Sequence, residues 1–366
     1  MWKHVSFLWR IRTEILIVVL CLACCVYSRY FMQTFSLVKA YVWETVGSLI
    51  LFCLILDTKY NKRGLPLLVY ALFVTLACVL AEDNVLAFFG QWNRGLGYDD
   101  LILYVVAGYI LAVRGRDVVE FGKWSLAVVG LLYGVVSLLQ IAGYSIGPVT
   151  WPCNSLAGNS NMAGFVFVLT LPFVLRKASY LLPISLAGLI LSNSRAAIAG
   201  GAVVLFLWFV RSRPIRIGVA VVVIMFALGV RQLPDTNRFT HMWHYEDTPR
   251  FQVLKESIPL VSLFGMGYGN YRAKYGMIKS AEFEKQTPGV QFDGPHNVYL
   301  EHFIVNGLFA TLVWLYLLVF LLRSRDRAFR YAGLGYIVVG MFSFDTVETL
   351  PLFWMILGLD RAKEIG

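Results

Sequence analysis

Long apolar segments alternate with short polar ones along nearly the whole chain. A helix needs about 20 mostly apolar residues to cross the hydrocarbon core of a bilayer, so each long apolar segment is a candidate membrane span. The pattern predicts twelve spanning helices, at residues 14–31, 38–56, 65–81, 99–114, 121–142, 161–176, 178–193, 196–211, 215–233, 297–322, 329–344 and 347–360. We therefore expect an all-α, polytopic membrane protein with a single integral membrane domain over residues 1–366.

The composition agrees with this fold class and argues against binding of nucleic acid. The chain of 366 residues is 58% hydrophobic and only 15% charged, which is too apolar for a soluble domain. The net charge of +10 is spread in short clusters between the apolar segments, not gathered in one patch. The first apolar segment ends without a small-residue cleavage site, so we expect it to be a retained helix.

The basic residues also predict which ends of the helices face the cytoplasm. With the N-terminus inside, twenty Lys and Arg residues fall in the inner segments. Only four fall in the short outer loops, namely Arg29, Lys39, Arg94 and Arg195. Short cytoplasmic loops are enriched in Lys and Arg, which favours this orientation with both chain ends inside.

One outer loop is much longer than the others and lies between the ninth and tenth spans, at residues 234–296. Its segment FQVLKESIPLVSLFG is apolar and amphipathic, but it is too short and too charged to span a bilayer. We expect an interfacial amphipathic helix in this extracytoplasmic loop. A loop of this length is usually functional.

The polar residues of interest gather in the outer segments. WNRGLGYDD contains Arg94 and GNSNMAG contains Asn161, while TPRFQ and GYGNYR contain Arg250 and Arg272. A transporter is expected to place its binding groups near the midplane and to show two related halves, and neither feature is found. A transporter of lipid-linked sugars and a structural scaffold remain alternatives to an enzyme.

Arg195 lies in the tight turn SNSR between two apolar segments, on the side where the charge rule disfavours it. It is either a snorkelling anchor at the lipid headgroups or an anion clamp, because a guanidinium offers a planar fork of donors to a diphosphate. Arg250 and Arg272 flank the amphipathic segment. They are either solvated loop residues or further parts of a positive pocket at the membrane surface.

His296 directly precedes the tenth span. It is either a polar boundary residue or the side chain best suited to move a proton near neutral pH. Asn297 and Glu301 are four residues apart and share a helix face, whereas His302 points elsewhere and is expected to pack.

The chain shows no decisive metal-binding pattern. HMWH at 241–244 lacks a nearby third ligand, and the carboxylate pairs Asp99–Asp100, Glu282–Glu284 and Asp345–Glu348 have no diagnostic spacing. We predict neither a metal nor a cofactor.

The motifs, taken in order, resemble the superfamily of O-antigen ligases and O-antigen polymerases, which includes bacterial O-oligosaccharyltransferases. The matching segments are GNSNMAGFVFVLTLP, SNSRAAIAG, an Arg before an amphipathic stretch with LFGMGYGNY, and HNVYLEHFIVNGLFA. The resemblance covers most of residues 90–325 and implies a fold similar to the GT-C membrane glycosyltransferases.

The resemblance implies an inverting glycosyltransferase in the bacterial inner membrane, with its active site on the periplasmic side. The donor is a glycan on undecaprenyl diphosphate, and the acceptor is a glycan, a lipid A core or a protein. Arg195 and Arg250 are then expected to bind the diphosphate, and His296 to activate the acceptor hydroxyl or bind the donor. The substrate-binding residues are expected to be Arg94, Asn161, Arg272, Asn297 and Glu301.

Three acceptor classes remain open within this superfamily. The placement of the long loop and the HN motif, His296–Asn297, favour the ligase type, and the polymerase is the alternative. The protein-glycosylating type is less favoured, because no additional soluble domain is evident.

Overall fold

The computed structural model of the protein describes residues 2–25, 36–56, 58, 61–91, 96–144, 154–210 and 249–363. Within these ranges the chain forms seventeen α-helices, several short 3₁₀ turns and no strand. One isolated bridge joins Gln91 to Leu96. The described residues therefore agree with the predicted all-α class.

Ten of these helices precede the long outer loop. They are α1 Trp2–Cys25, α2 Ser36–Val42, α3 Ser48–Leu56, α4 Leu65–Val79, α5 Asn84–Phe89, α6 Tyr98–Arg114, α7 Val119–Ile141, α8 Ser160–Lys177, α9 Leu182–Leu191 and α10 Arg195–Phe209. A π-helical turn at Trp43–Gly47 joins α2 to α3, so these two form one continuous helical segment.

The other seven helices belong to the long loop and to the segments after it. They are α11 Pro249–Ser257, α12 Tyr271–Ile278, α13 Ala281–Gln286, α14 Val298–Val305, α15 Gly307–Leu322, α16 Arg327–Gly340 and α17 Leu350–Lys363.

Helices occupy eleven of the twelve predicted spans, and the remaining one, the ninth at 215–233, lies outside the described residues. Two helical segments of the described chain, Lys62–Val79 and Arg116–Ile141, are long and apolar enough to cross a membrane by themselves. Others are shorter or interrupted, such as the predicted span 297–322, which breaks between α14 and α15. The number of spans stays a prediction.

Two helices form the centre of the bundle. Nearly every residue of α8 from Met162 to Leu175 is buried, and so is α17 from Leu350 to Ala362. α8 packs against α7, α9, α10 and α16, while α17 packs against α1 and α6. A helix that is apolar on all sides is stable only when it is enclosed, which explains why these two occupy the core.

The peripheral helices carry continuous exposed apolar faces. Leu49 and Phe52 of α3, Leu72 of α4, and Leu312 and Tyr316 of α15 are each more than half exposed. Faces of this kind are unfavourable in water and favourable against lipid.

Each end of the bundle has its own polar contacts between distant segments. At the predicted cytoplasmic end, Lys123 pairs with Asp326 at 2.6 Å, and Arg361 Nε donates to the carbonyl of Arg63 at 2.9 Å. At the other end, Lys39 Nζ donates to the carbonyl of Leu156 at 2.8 Å. Each of these contacts joins segments that the charge pattern assigns to the same side of the membrane. We call the end with Lys39 and Leu156 the outer end.

The described part of the long loop is folded. α11 and a 3₁₀ turn at Ile258–Leu260 occupy the first part of the predicted amphipathic segment. The helix does not continue to residue 265, because Pro259 lacks an amide hydrogen and restricts the residue before it. Beyond the turn the chain is irregular, and Leu263 and Phe264 are exposed. The interfacial position of this segment stays a prediction.

Candidate active site

The SNSR turn places Arg195 at the start of α10. Ser194 caps the helix by accepting a hydrogen bond from the amide of Ala197 at 3.4 Å, and Asn193 takes a left-handed conformation with φ of +50°. A short polar side chain at the cap satisfies an amide that lacks a helical partner. Arg195 is therefore the first helical residue, and its side chain is exposed.

The GNSNMAG motif packs directly against this turn. A Cβ on Gly164 would lie 2.5 Å from the Cβ of Ala197 and 3.0 Å from that of Ser194, so only glycine permits this approach of α8 to α10. Asn161 lies one turn before Gly164 and is half-buried. Its amide donates to the side chain of Asn159, which caps α8.

The HN motif begins α14 at the same end of the bundle. Asn297 caps the helix by accepting from the amide of Leu300 at 2.9 Å, and its Nδ2 donates to the carbonyl of Met341 at 3.0 Å. His296 precedes this cap with φ of +54°, and its ring lies 5.3 Å from that of Phe344. The residues that follow α16 therefore hold both residues of the motif.

The C-terminal half of α16 links the Arg195 turn to the HN motif. Gly200 of α10 approaches Val339, and Gly340 approaches Val298 of α14. Arg195 lies about 7 Å along the helix axis before Gly200, and His296 lies two residues before Val298. The structure thus brings Arg195, Asn161, His296 and Asn297 to the same end of the bundle.

A buried polar network begins on α14, a few residues after the HN motif. His302 Nε2 lies 3.3 Å from Asp345 Oδ2, and the Tyr336 hydroxyl donates to the two oxygens of Asp345 at 2.9 and 2.7 Å. Asn306 Nδ2 is 3.0 Å from His302 Nδ1. His302 also stacks on Trp314, with ring centroids 4.1 Å apart, so the prediction that His302 packs is confirmed. Glu301, one residue earlier on α14, is also buried.

Neither this network nor a second buried ion pair was predicted from the sequence. Asp345 bonds to Tyr336, whereas Glu348 lies 3.7 Å from the buried amine of Lys39. These two carboxylates therefore contact different side chains. The signal was present in the sequence, because ionisable residues within apolar segments carry a high cost unless they are paired.

The glycine-rich motif of the long loop fills the break between α14 and α15. The amide of Met266 donates to the carbonyl of Ile304, and the amide of Gly267 donates to that of Val305, both at 2.9 Å. These carbonyls belong to the last turn of α14 and lack helical partners. The contact fixes the loop at residues 266–267 against the last turn of α14.

The same loop is also fixed to the outer end of α4 and α5. Gln91 Nε2 donates to the carbonyl of Gly269 at 2.7 Å, and Asn270 Nδ2 donates to that of Asp83 at 3.1 Å. Lys274 forms an ion pair with Glu82. The loop therefore covers the outer end of α4, α5, α14 and α15.

The loop has its own small aromatic core, which Glu256 organises. Tyr271 stacks on Tyr275, and Tyr275 and Ser280 donate to Glu256 at 2.9 and 2.6 Å. Burial alone raises the pKa of Glu256, but the hydrogen bonds from Ser280, Gln252 and Tyr275 outweigh it and hold that pKa below its ordinary value. Burial, and then the bond to Glu256, raise the pKa of Tyr275.

Arg250 and Arg272 are both exposed but lie on different helices of the loop. Arg250 is the second residue of α11. Arg272, on α12, lines a cavity of about 930 Å³ between the loop and the end of α5. Arg94 and the HMWH segment lie outside the described residues. Among the residues that the structure describes, no three His, Cys, Asp or Glu side chains form a cluster that could hold a metal ion.

Fold and site together define an all-α protein whose polar motifs meet at one end of an apolar bundle. The family model described as O-antigen ligase matches residues 180–315, a segment that includes Arg195, Arg250 and His296. This match confirms that the chain resembles the O-antigen ligase superfamily over that region. Members of this superfamily are membrane-integral, glycosyltransferase-like enzymes. No curated protein and no solved structure matches the chain.

Proposed function

We propose that the protein is a glycosyltransferase of the O-antigen ligase type. It moves a glycan from undecaprenyl diphosphate to an acceptor hydroxyl at the periplasmic face of the bacterial inner membrane. The observation that carries this proposal is that α10 and α14 both contact the C-terminal half of α16, so that Arg195 and His296 lie at one end of the bundle.

In the proposed reaction, arginines stabilise the departing charge. A sugar on a diphosphate already has a good leaving group, and the diphosphate takes the electron pair of the broken bond to the anomeric carbon. Arg195 and Arg250 bind its oxygens with charge-assisted hydrogen bonds. The exposed position of Arg195 at the outer end is compatible with this role.

His296 activates the acceptor in this proposal. Its imidazole takes the proton from the acceptor hydroxyl as that oxygen forms the new bond to the anomeric carbon. Attack from the face opposite the diphosphate inverts the anomeric centre. The left-handed backbone at His296 and the cap at Asn297 support the proposal, because they hold the ring against Phe344 in a defined place.

The test is transfer of a lipid-linked glycan in membranes that contain variants of the full chain. Arg195→Ala and His296→Ala are each expected to lower transfer at least about tenfold at an unchanged protein level. Lys285→Ala, on an exposed loop position away from these motifs, serves as the matched control. Normal transfer by both variants would refute the assignment.

The acceptor supplied in the same assay separates the ligase from the polymerase. We expect transfer to a lipid A core. Transfer only to another lipid-linked repeat unit would identify a polymerase, and transfer only to a protein would identify an oligosaccharyltransferase.

A further inference from the structure

The cavity beside Arg272 is separate from the proposed reaction site. Its walls are α12, the segment 289–292 and the end of α5. Its volume of about 930 Å³ is at the upper end of the range for small-molecule sites. Arg195, Arg250 and His296 do not line it.

The lining groups suit a sugar. Phe292 in the cavity wall is half-buried, and its ring offers apolar surface to the C–H face of a pyranose. Gln291 is exposed, and its side-chain amide can both donate to and accept from hydroxyl groups.

Arg272 is the cation of this cavity that has no partner in the described chain. The other cation, Lys279, pairs with Glu284 at 2.5 Å and also donates to the carbonyls of Thr287 and Val290 at 3.0 and 3.2 Å. The exposed guanidinium of Arg272 forms no hydrogen bond or ion pair within the residues that the structure describes. A bound ligand therefore meets a positive charge that is still available.

The cavity lies close to the proposed reaction site along the chain. Phe292 in its wall precedes His296 by four residues, so their Cα atoms are at most about 14 Å apart. An oligosaccharide of a few sugar units spans such a distance.

We propose that this cavity is a subsite for the glycan chain and that Arg272 pairs with the carboxylate of an acidic sugar, such as a hexuronic acid, within it. The inference rests on the proposed function, because it supplies a sugar-binding site to a glycan-transferring enzyme. It gives Arg272 a role in sugar recognition that is distinct from binding the diphosphate.

Binding to the purified full-length protein in detergent micelles tests this subsite without any transfer reaction. The probes are tetragalacturonic acid and its neutral counterpart maltotetraose, measured by titration calorimetry. We expect saturable binding of the acidic probe and at least about tenfold weaker binding of the neutral one, since a charge-assisted hydrogen bond is lost.

Two variants target the cavity in different ways. Arg272→Gln removes the charge, and Gly276→Phe fills the cavity, because a Cβ on Gly276 meets no atom within 4 Å. Gly276 lies in α12, where phenylalanine is a better helix former than glycine, so the helix is expected to persist. Each variant is expected to weaken the acidic probe at least about tenfold, while Lys285→Gln leaves binding unchanged.

Arg195→Ala separates the two proposals. Transfer lost with tetragalacturonic acid binding retained supports both of them. Binding that depends on Arg272 and Gly276, together with normal transfer by Arg195→Ala, supports the subsite and refutes the proposed role of Arg195. The subsite is overturned if the acidic probe does not bind saturably, or if both cavity variants bind it as the unaltered protein does.

The same variants show which substrate occupies the subsite if transfer is detected. A raised KM for the lipid-linked donor assigns it to the donor glycan, and a raised KM for the acceptor assigns it to the acceptor glycan. An unchanged KM for both substrates overturns the subsite as part of the reaction path.

Discussion

Gly265 and Gly307 pack backbone against backbone. A Cβ on Gly307 would lie 2.4 Å from the amide nitrogen of Gly265, and a Cβ on Gly265 would lie 2.6 Å from that of Gly307. Both residues have φ near +80°, which L side chains rarely adopt. The contact joins the loop motif LFGMGYGNY to the motif HNVYLEHFIVNGLFA, so two segments that are distant in the chain form one unit at the outer end.

Alanine at either glycine is expected to separate these two motifs. Gly307→Ala and Gly265→Ala each combine a left-handed backbone with a steric clash against main-chain atoms, which costs about 2 kcal/mol or more. We expect a lower melting temperature in detergent micelles and loss of transfer, because the loop no longer covers the outer end of α14.

Gly276→Ala provides the control for this prediction. Gly276 is helical, has open space around its Cα and lies on the same loop, so alanine there is expected to leave the melting temperature unchanged or raise it slightly. Equal melting temperatures for Gly307→Ala and the unaltered protein would show that the backbone contact does not hold the loop.

The ion pair of Lys39 and Glu348 ties the start of α2 to the segment before α17. Both side chains are almost fully buried, at 0% and 1% exposure, and the amine also donates to the carbonyl of Leu156. Breaking a buried pair leaves an uncompensated charge, which costs about 3 to 5 kcal/mol. Lys39→Met is therefore expected to lower the melting temperature and the yield of folded protein markedly.

The double variant Lys39→Met with Glu348→Leu tests the cause of this loss. Replacing a buried ion pair by apolar groups of similar volume is often neutral or stabilising. We expect the double variant to be more stable than Lys39→Met alone. A double variant that is less stable than either single variant would show that the two side chains contribute independently of their pairing.

The positions of the helices and the end at which the motifs meet were predictable from the sequence. The apolar segments are long enough to predict helices at nearly the correct residues, and the distribution of basic residues predicts that Arg195, His296 and Asn161 meet at one end of the bundle. These predictions depend on composition over about twenty residues, which local detail changes little.

The breaks and the buried pairs were not predictable in the same way. The interruption before Gly307 depends on a loop forty residues earlier that accepts and donates the missing hydrogen bonds, and Lys39 was assigned to a short outer loop. Its partner Glu348 lies more than 300 residues further along the sequence. A pattern along one segment contains no information about such partners.

The loop helices α11 to α13 are expected to lose stability in acid. Glu256 has a folded-state pKa below its ordinary value of 4.5, so the unfolded loop binds the proton more tightly than the folded loop. Its contribution to stability is complete above about pH 5 and is lost as the pH falls through the folded-state pKa. The rate of amide hydrogen exchange of residues 249–292, corrected for intrinsic rates, is expected to increase as the pH is lowered from about 5 through the folded-state pKa of Glu256.

Glu256→Gln is the matched variant for this prediction. It removes the titrating group, so we expect weaker protection at neutral pH and a smaller change on acidification. Glu284→Gln is the control, because the pKa of Glu284 is lowered by its hydrogen bond from Lys279 but its side chain is exposed and well screened. A full acid response in Glu256→Gln would exclude Glu256 as its source.

Transfer is expected to continue in the presence of a metal chelator. In the proposed mechanism the guanidinium groups of Arg195 and Arg250 neutralise the departing diphosphate, a task that bound cations perform in many other phosphate-transferring sites. Activity measured in EDTA is therefore expected to match activity in buffer. Loss of transfer in EDTA that Mg²⁺ or Mn²⁺ restores would instead assign charge neutralisation to a cation.

Arg195→Lys is expected to restore only part of the activity that Arg195→Ala loses, because an ammonium group is a point charge without a planar pair of donors. Full activity of Arg195→Lys would reduce the role of Arg195 to its charge alone.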